Sequence, residues 1–234
     1  MNINNQTFNI SLSEYSGEVC LVLYHSPCNL NCNWCFNKHN LKNTILSYDN
    51  AVKNIMDNRE FITSVCLTGG EPLLSSDFYR ICEYVCDEGL KLKVNTSGTV
   101  KPREHFTADY VNISFKGCFK DYQRYGYTKT LKDLQDTLNI YTSKDFFSKV
   151  EWSIVYHKLL IDLNTTYDLM LSLNCVPDYF TLSQLQVGEC YDSFINDLTP
   201  PTREELIQKS KIFKDIPLEH LLIETKEYGR EIII

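Results

Sequence analysis

The stretch PCNLNCNWCFN, Pro27–Asn37, places three cysteines, Cys28, Cys32 and Cys35, within eight residues in a C-x3-C-x2-C spacing. It follows VCLVLY, Val19–Tyr24, an aliphatic and β-branched run that reads as a strand. Three thiolates this close together can wrap one cubane iron–sulfur cluster, because Cys is the soft ligand that such clusters take. Three ligands for four irons leave one iron open to another group. The competing reading of the same residues is a zinc site that draws its fourth ligand from His25 or His39.

One βα unit further on, LTGGEPLL (Leu67–Leu74) follows a second predicted strand, Ser64–Thr68. Paired glycines let a ligand approach the backbone, and Glu71 offers a carboxylate at the strand end. Taken alone the same residues are also an ordinary turn. Outward from these motifs, strands are predicted at Lys91–Asn95, Tyr110–Phe115, Val150–Val155 and Tyr179–Leu185. Helices are predicted at Ser47–Asn58, Asp77–Glu88, Thr130–Thr142 and Thr165–Leu173, with Ser47, Asp77 and Thr165 as N-caps. The connection between the third and fourth strands is short and holds Pro102, which makes it the weakest helix position. Six βα units of this kind imply an α/β fold, a partial, open (β/α)6 TIM-like barrel with its active site at the C-terminal ends of the strands. From about Gln186 the alternation stops, and a helix opens near Thr202, whose spacing to Glu205 is a capping-box pattern. One domain over residues 1–234 is expected, with a core of about 18–185 and a C-terminal extension of about 186–234 packed on the barrel or over its mouth.

With 234 residues and 43% hydrophobic content, the chain can bury one substantial core. A net charge of −7 with scattered Lys and Arg argues against a nonspecific nucleic-acid or anionic-membrane surface. The opening MNINNQTFNISLSEY has no basic segment leading into an apolar one, and no apolar run reaches about 18 residues, so a soluble cytoplasmic protein is expected. Ten cysteines without a secretory signal suggest reduced thiols rather than a disulfide framework. Most of the seven outside the triplet read as packing, Cys82 and Cys86 as one buried stripe. Cys118, Cys175 and Cys190 lack the compact spacing of a second cluster. His157, just past a strand end, is the histidine placed to reach the mouth, and Tyr122, Tyr125 and Tyr127 read as a rim loop or an amphipathic surface.

The triplet and GGEP together resemble the radical S-adenosylmethionine (SAM) superfamily. That resemblance implies a [4Fe–4S] cluster on Cys28, Cys32 and Cys35, with SAM on the remaining iron. It further implies that Gly69, Gly70 and Glu71 contact SAM and that the backbone of Trp34 helps recognise the adenine. The chemistry implied is one-electron cleavage of SAM to a 5′-deoxyadenosyl radical, which abstracts hydrogen from a substrate. A narrower resemblance begins earlier: SLSEYSGEVCLVLYHSPCNLNC is similar to the opening of activating proteins of anaerobic ribonucleoside-triphosphate reductases, with Ser11, Leu12, Glu14, Tyr15 and Gly17 matching their lead. NTSG (Asn95–Gly98) resembles the family's Asp-Thr-Asn-Gly, and DYVNISFKG (Asp109–Gly117) its Asp-Tyr-…-Asp-x-Lys segment. LSQLQVGEC and TPPTREEL are similar to later landmarks. By this resemblance Asn95, Ser97, Ser114 and Lys116 are cofactor-binding positions, and Lys116 would hold the SAM carboxylate; a solvated lysine is the plain alternative. The implied partners are a glycyl-radical enzyme such as anaerobic ribonucleotide reductase and a low-potential electron donor such as flavodoxin or ferredoxin. Two departures stand out: Asn95 and Ser114 occupy positions where related activating enzymes carry acids. They keep open a radical SAM enzyme acting on a small molecule, nucleoside-derived metabolite or peptide; a non-catalytic metal-binding module is the third reading.

Overall fold

The aliphatic and β-branched runs form a single nine-stranded sheet in the computed structural model, which describes residues 8–37, 46–141, 147–174, 176–188 and 190–234. Its strands follow chain order: β1 (Phe8–Ser11), β2 (Cys20–His25), β3 (Ser64–Gly69), β4 (Lys91–Thr96), β5 (Ala108–Phe115), β6 (Phe147–Tyr156), β7 (Tyr179–Gln184), β8 (His220–Thr225) and β9 (Gly229–Ile232). Strands β2 to β8 pair in parallel, whereas β1 and β9 add antiparallel at the two edges. Parallel strands in sequential order with connections on one side make the wall of a (β/α) barrel. Among the described residues β1 and β9 do not pair, so the barrel is partial and open.

The period-2 pattern of the strands divides two environments. On β3, Val65 and Leu67 enter the large apolar core beneath the helices, with Phe78, Ile81 and Val85, while Cys66 joins Cys20, Val22, Tyr15 and Tyr110 inside the barrel. Helix α1 (Tyr48–Asn58) starts where predicted, with Ser47 Oγ accepting from Asn50 N at 3.3 Å. Asp77 precedes α2 (Phe78–Asp87) but makes no cap bond; its carboxylate accepts from Tyr48 N at 3.0 Å and ties the two helices together. Residues 97–107, around Pro102, hold no helix. After β5 come α3 (Phe119–Arg124) and α4 (Leu131–Tyr141). The N-cap of α5 (Leu163–Leu171) is Asp162, bonded to Asn164 N at 3.0 Å, which leaves Thr165 inside the helix.

The tail contributes more than a covering extension. After the short α6 (Ser193–Asn196), α7 (Arg203–Ser210) opens at Thr202, whose Oγ1 accepts from Glu205 N at 3.1 Å. Buried Leu206 and Phe213 dock it on the sheet, Phe213 stacking 4.1 Å from Phe180. The chain then adds β8 as a seventh parallel strand, so the sheet continues well past Gln186. Only Leu221, Ile223 and Thr225 of β8 are buried, a three-residue signal inside polar surroundings. The Arg203 guanidinium closes the tail by a two-pronged contact with Glu231, at 2.7 and 2.9 Å.

Charged groups fill the deep end of the barrel. Lys93, with no exposed surface, lies 3.2 Å from Glu14 Oε1. Buried Glu151 accepts from Tyr110 Oη at 2.7 Å and Thr181 Oγ1 at 2.6 Å, and pairs with Arg230 at 3.1 Å. Glu14, from the β1–β2 connection, and Arg230, from β9, therefore plug this end with partnered charges.

Candidate active site

At the C-terminal ends of the strands lies a cavity of about 480 Å³. Cys28, Cys32 and Cys35 line it together with Trp34, Gly69, Gly70, Asn95, Ser97, Ser114 and Lys116. The cysteine loop leaves β2 and is fixed from three directions. Asn31 N donates to Tyr125 O at 2.7 Å, Asn29 Nδ2 donates to Thr99 Oγ1 at 3.0 Å, and Asp192 N donates to Asn33 O at 3.0 Å. Trp34 packs edge-on against Tyr125 with ring centroids 4.8 Å apart. Within the loop, Leu30 N donates to Cys28 Sγ at 3.4 Å, and Cys35 N to Cys32 O at 3.1 Å.

Among the described residues no three His, Cys, Asp or Glu side chains converge on one ion. His25 is buried edge-on to Phe78 at 6.5 Å, both its ring nitrogens lack partners, and burial pushes its pKa down to about 4. It is a core residue; His39 lies outside the described residues. Three thiols on one cavity wall are the soft donor set that an iron–sulfur cluster takes. Desolvation raises both Cys28 and Cys32, Cys32 to about 11, with Lys116 offsetting this in part. Cluster iron binds Cys as thiolate, so a cluster held here would displace the thiol protons.

The GGEP turn is built against this loop. Gly69 has φ +115, and a Cβ there would lie 2.5 Å from His25 N and O; at Gly70 it would lie 2.4 Å from Pro27 O. Gly70 N donates to His25 O at 2.6 Å and Glu71 N to Pro27 O at 3.0 Å, so the two motifs share backbone hydrogen bonds. Glu71 does not line the cavity. Fully buried, its carboxylate accepts from Thr96 Oγ1 (2.8 Å), Ser97 N (2.9 Å) and Ser97 Oγ (2.6 Å). Burial pushes its pKa up against these donors. It braces the end of β3 to the end of β4 from behind the turn.

Further residues of the cavity escaped sequence reasoning: Glu14, Asn112, Ser183, Gln184 and Glu224. Near the mouth Lys116 Nζ donates to Ser114 Oγ at 2.8 Å. Deeper, Asn95 Nδ2 donates to Glu14 Oε1 at 2.7 Å, and Ser183 Oγ donates to Glu224 Oε2 at 2.9 Å. Burial raises the Glu14 pKa, but Lys93, Asn95 and Arg230 outweigh it and hold the carboxyl below its ordinary range. A carboxylate therefore does stand beside position 95, delivered by the β1–β2 connection. Asn112 was within reach of strand periodicity, two residues back from Ser114 on the same face. Glu224 was hidden with β8.

Other expectations are corrected. His157 does not reach the cavity: its Nδ1 accepts from Leu159 N at 3.2 Å, so Nε2 carries the proton and donates to Thr199 O at 3.2 Å. Tyr122, Tyr125 and Tyr127 form neither rim nor surface; all three are buried. Cys82 is buried, but Cys86 is exposed. Cys118 flanks α3, Cys190 Sγ lies 3.1 Å from Gln186 O, and Cys175 is outside the described residues.

Comparisons with known proteins agree with this geometry. The chain is 26% identical over 233 residues to the Methanocaldococcus jannaschii protein named "Putative glycyl-radical enzyme activating enzyme MJ1227", covering 92% of this chain and 93% of that one. It is 27% identical over 158 residues to the 7-carboxy-7-deazaguanine synthase of Clostridium acetobutylicum, covering 57% of this chain and 71% of that enzyme. The solved structure of TYW1 with a lysine-pyruvate adduct bound shares the fold, with a TM-score of 0.65 at 15% identity over 93% of this chain and 80% of that chain. No helix among the described residues is long and apolar enough to cross a membrane. Residues 24–168, from the end of β2 into α5 and including the triplet, the GGEP turn and Lys116, match the family model of the radical SAM superfamily, and the chain belongs to that superfamily.

Proposed function

We propose that the chain activates a partner protein by installing a glycyl radical on it. The observation that carries this reading is the similarity to MJ1227 along nearly the whole of both chains. The open barrel supports it, since an unclosed wall admits a loop of a large substrate. When bound, the reduced [4Fe–4S] cluster and SAM supply the 5′-deoxyadenosyl radical for hydrogen abstraction. The protein's own share is placement and shielding. Cys28, Cys32 and Cys35 would hold the cluster; Gly69 and Gly70 would present their backbone to the methionyl part of SAM; Lys116 would neutralise its carboxylate; and the Trp34 backbone would meet the adenine. Asn95, Ser97 and Ser114 offer hydrogen bonds along the same wall, with Glu71 holding that wall in place. The partner is a glycyl-radical enzyme such as anaerobic ribonucleotide reductase, and a flavodoxin or ferredoxin serves as electron donor. Nine free cysteines among the described residues fit a reducing cytoplasm.

Anaerobically reconstituted protein should bind about four irons per chain and cleave SAM to 5′-deoxyadenosine under strong reductant. Cys32→Ala should lose both properties. After mixing with a candidate reductase, electron paramagnetic resonance should show a glycyl radical on the partner. A second reading, a radical SAM enzyme acting on a nucleoside-derived small molecule, is favoured by the similarity to 7-carboxy-7-deazaguanine synthase. Turnover of such a compound, with no radical on any partner, would replace the first reading by the second.

A further inference from the structure

The loop that carries the triplet is one residue thick. Exposed Asn29, Asn31 and Asn33 alternate along it with buried Leu30, Cys32 and Trp34. The buried set lines the cavity, the side assigned above to SAM. The asparagines form the outer face, and residues 26–37 carry no charged side chain. A partner protein that meets this face stands one backbone away from the triplet.

Two flanks frame the face. On one side Asn31 N donates to Tyr125 O at 2.7 Å, and a Cβ on Gly126 would lie 3.7 Å from Asn29 O, so the end of α3 abuts the loop. Residues 116–130 hold Lys116, Lys120, Arg124 and Lys129 against Asp121 alone, in a chain whose net charge is −7. Lys120 and Arg124 are exposed and lie one helical turn apart. Asp121 is buried; its carboxylate accepts from Cys118 N at 3.0 Å and lies 3.4 Å from Arg124. On the other side the tail holds Asn33. Asp192 N donates to Asn33 O at 3.0 Å, and Asn33 Nδ2 donates to Asp192 Oδ2 at 3.3 Å. The same carboxylate accepts from Phe194 N at 3.0 Å, and Phe194 is 59% exposed. Arginine and large aromatic residues are the types on which protein interfaces concentrate their binding energy.

We propose that the outer face of the cysteine loop, with Lys120 and Arg124 on one flank and Phe194 on the other, docks a small acidic electron-carrier protein. Cations at the rim steer an acidic partner and fix its orientation, and Phe194 adds apolar area to bury. One electron crosses this face: the carrier is oxidised by one electron, the cluster behind the loop is reduced by one, and no bond or proton changes hands. The proposal rests on the reading that a carrier protein reduces the cluster, and it is the same for a protein substrate and for a small molecule.

The test measures binding without turnover. Anaerobically reconstituted protein is titrated with oxidised flavodoxin, an acidic carrier with no electron to give in that form, and Kd is read by calorimetry. Lys120→Glu combined with Arg124→Gln should raise Kd about tenfold at low salt, with the gap closing in about 0.5 M salt. Phe194→Ala should raise it about fivefold at either salt. Lys211→Glu and Phe61→Ala remove an exposed cation after α7 and an exposed ring ahead of β3, and each should leave Kd within about twofold of wild type. SAM cleavage driven by reduced flavodoxin should show the same rises in the KM for the carrier, while cleavage driven by photoreduced deazaflavin, a neutral small molecule, keeps its wild-type rate. An unchanged Kd in either site variant, an equal loss in the controls, or loss of deazaflavin-driven cleavage in a site variant would overturn the docking site and leave the carrier reading standing. Wild-type protein that binds no flavodoxin and cleaves SAM with deazaflavin alone would overturn both.

Discussion

Gly70→Ala is the smallest change that sets the two motifs against each other. The added methyl would sit 2.4 Å from Pro27 O, 2.7 Å from Pro27 C and 3.1 Å from Cys28 N. Ordinary contact begins near 3.4 Å, so the backbone entering Cys28 must retreat by about 1 Å, since no side chain there can turn aside. Overpacking of this kind costs about 1–3 kcal/mol. In a domain of this size each kcal/mol lowers Tm by about 2–4 °C. The larger effect falls on chemistry, because a displacement of about 1 Å in a positioned site can cost about 10²-fold in rate. Scanning calorimetry on the anaerobic protein, with iron content and 5′-deoxyadenosine release measured in parallel, reads all three. Gly89→Ala is the control: φ is +66 there and a Cβ meets nothing within 4 Å, so it should cost about 1 kcal/mol through the backbone and leave SAM cleavage alone. A Gly70→Ala protein with wild-type Tm and wild-type SAM cleavage would refute the claim that close backbone approach joins the GGEP turn to the cysteine loop.

Three other changes probe the support around the site. Glu71→Gln turns an amide NH2 toward Ser97 N or Thr96 Oγ1, and Ser97 N cannot rotate away, so a loss of about 1–3 kcal/mol in urea unfolding is expected; unchanged stability would show that the carboxylate is not a brace. Lys93→Met leaves Glu14 without its buried cation, while Glu151 keeps Arg230, and should cost about 3 kcal/mol at neutral pH. In the wild type the depressed Glu14 pKa contributes stability above the ordinary carboxyl value, lost as pH falls through the folded value; removing Lys93 raises that folded value, so the gap between variant and wild type should narrow on acidification below about pH 4.5. A gap independent of pH would mean the cost is packing alone. His157→Phe breaks the link to Thr199 and should cost about 1 kcal/mol while sparing iron binding and SAM cleavage; loss of SAM binding in a folded variant would return His157 to the site.

What could be read from the sequence divides by how local its cause is. The cysteine triplet and GGEP each act within a few residues of one strand end, so spacing alone reveals them, and all six predicted strands are found. Residues that depend on distant partners were misread. Tyr125 looks like surface until Trp34 packs on it, and β8 is a short apolar run until β7 offers its edge. Glu71 is the instructive middle case: its position places it in the turn beside the cavity, but its buried carboxylate is spent on Thr96 and Ser97 and does not line the cavity, which spacing cannot show.

The two uncharged positions, Asn95 and Ser114, show most clearly how function can move between elements. As letters they read as the loss of acids from the barrel wall. In the fold, Glu14 reaches from the β1–β2 connection to within 2.7 Å of Asn95, backed by the buried ammonium of Lys93. An aspartate at position 95 would set two carboxylates at hydrogen-bond distance, and one of them would have to hold a proton. Asparagine is therefore the residue that lets Glu14 stay ionised there, since it donates Nδ2 to the carboxylate. Negative charge at this end of the barrel thus comes from the β1–β2 connection rather than from β4, and the neutral amide at position 95 spares Glu14 a second carboxylate beside it.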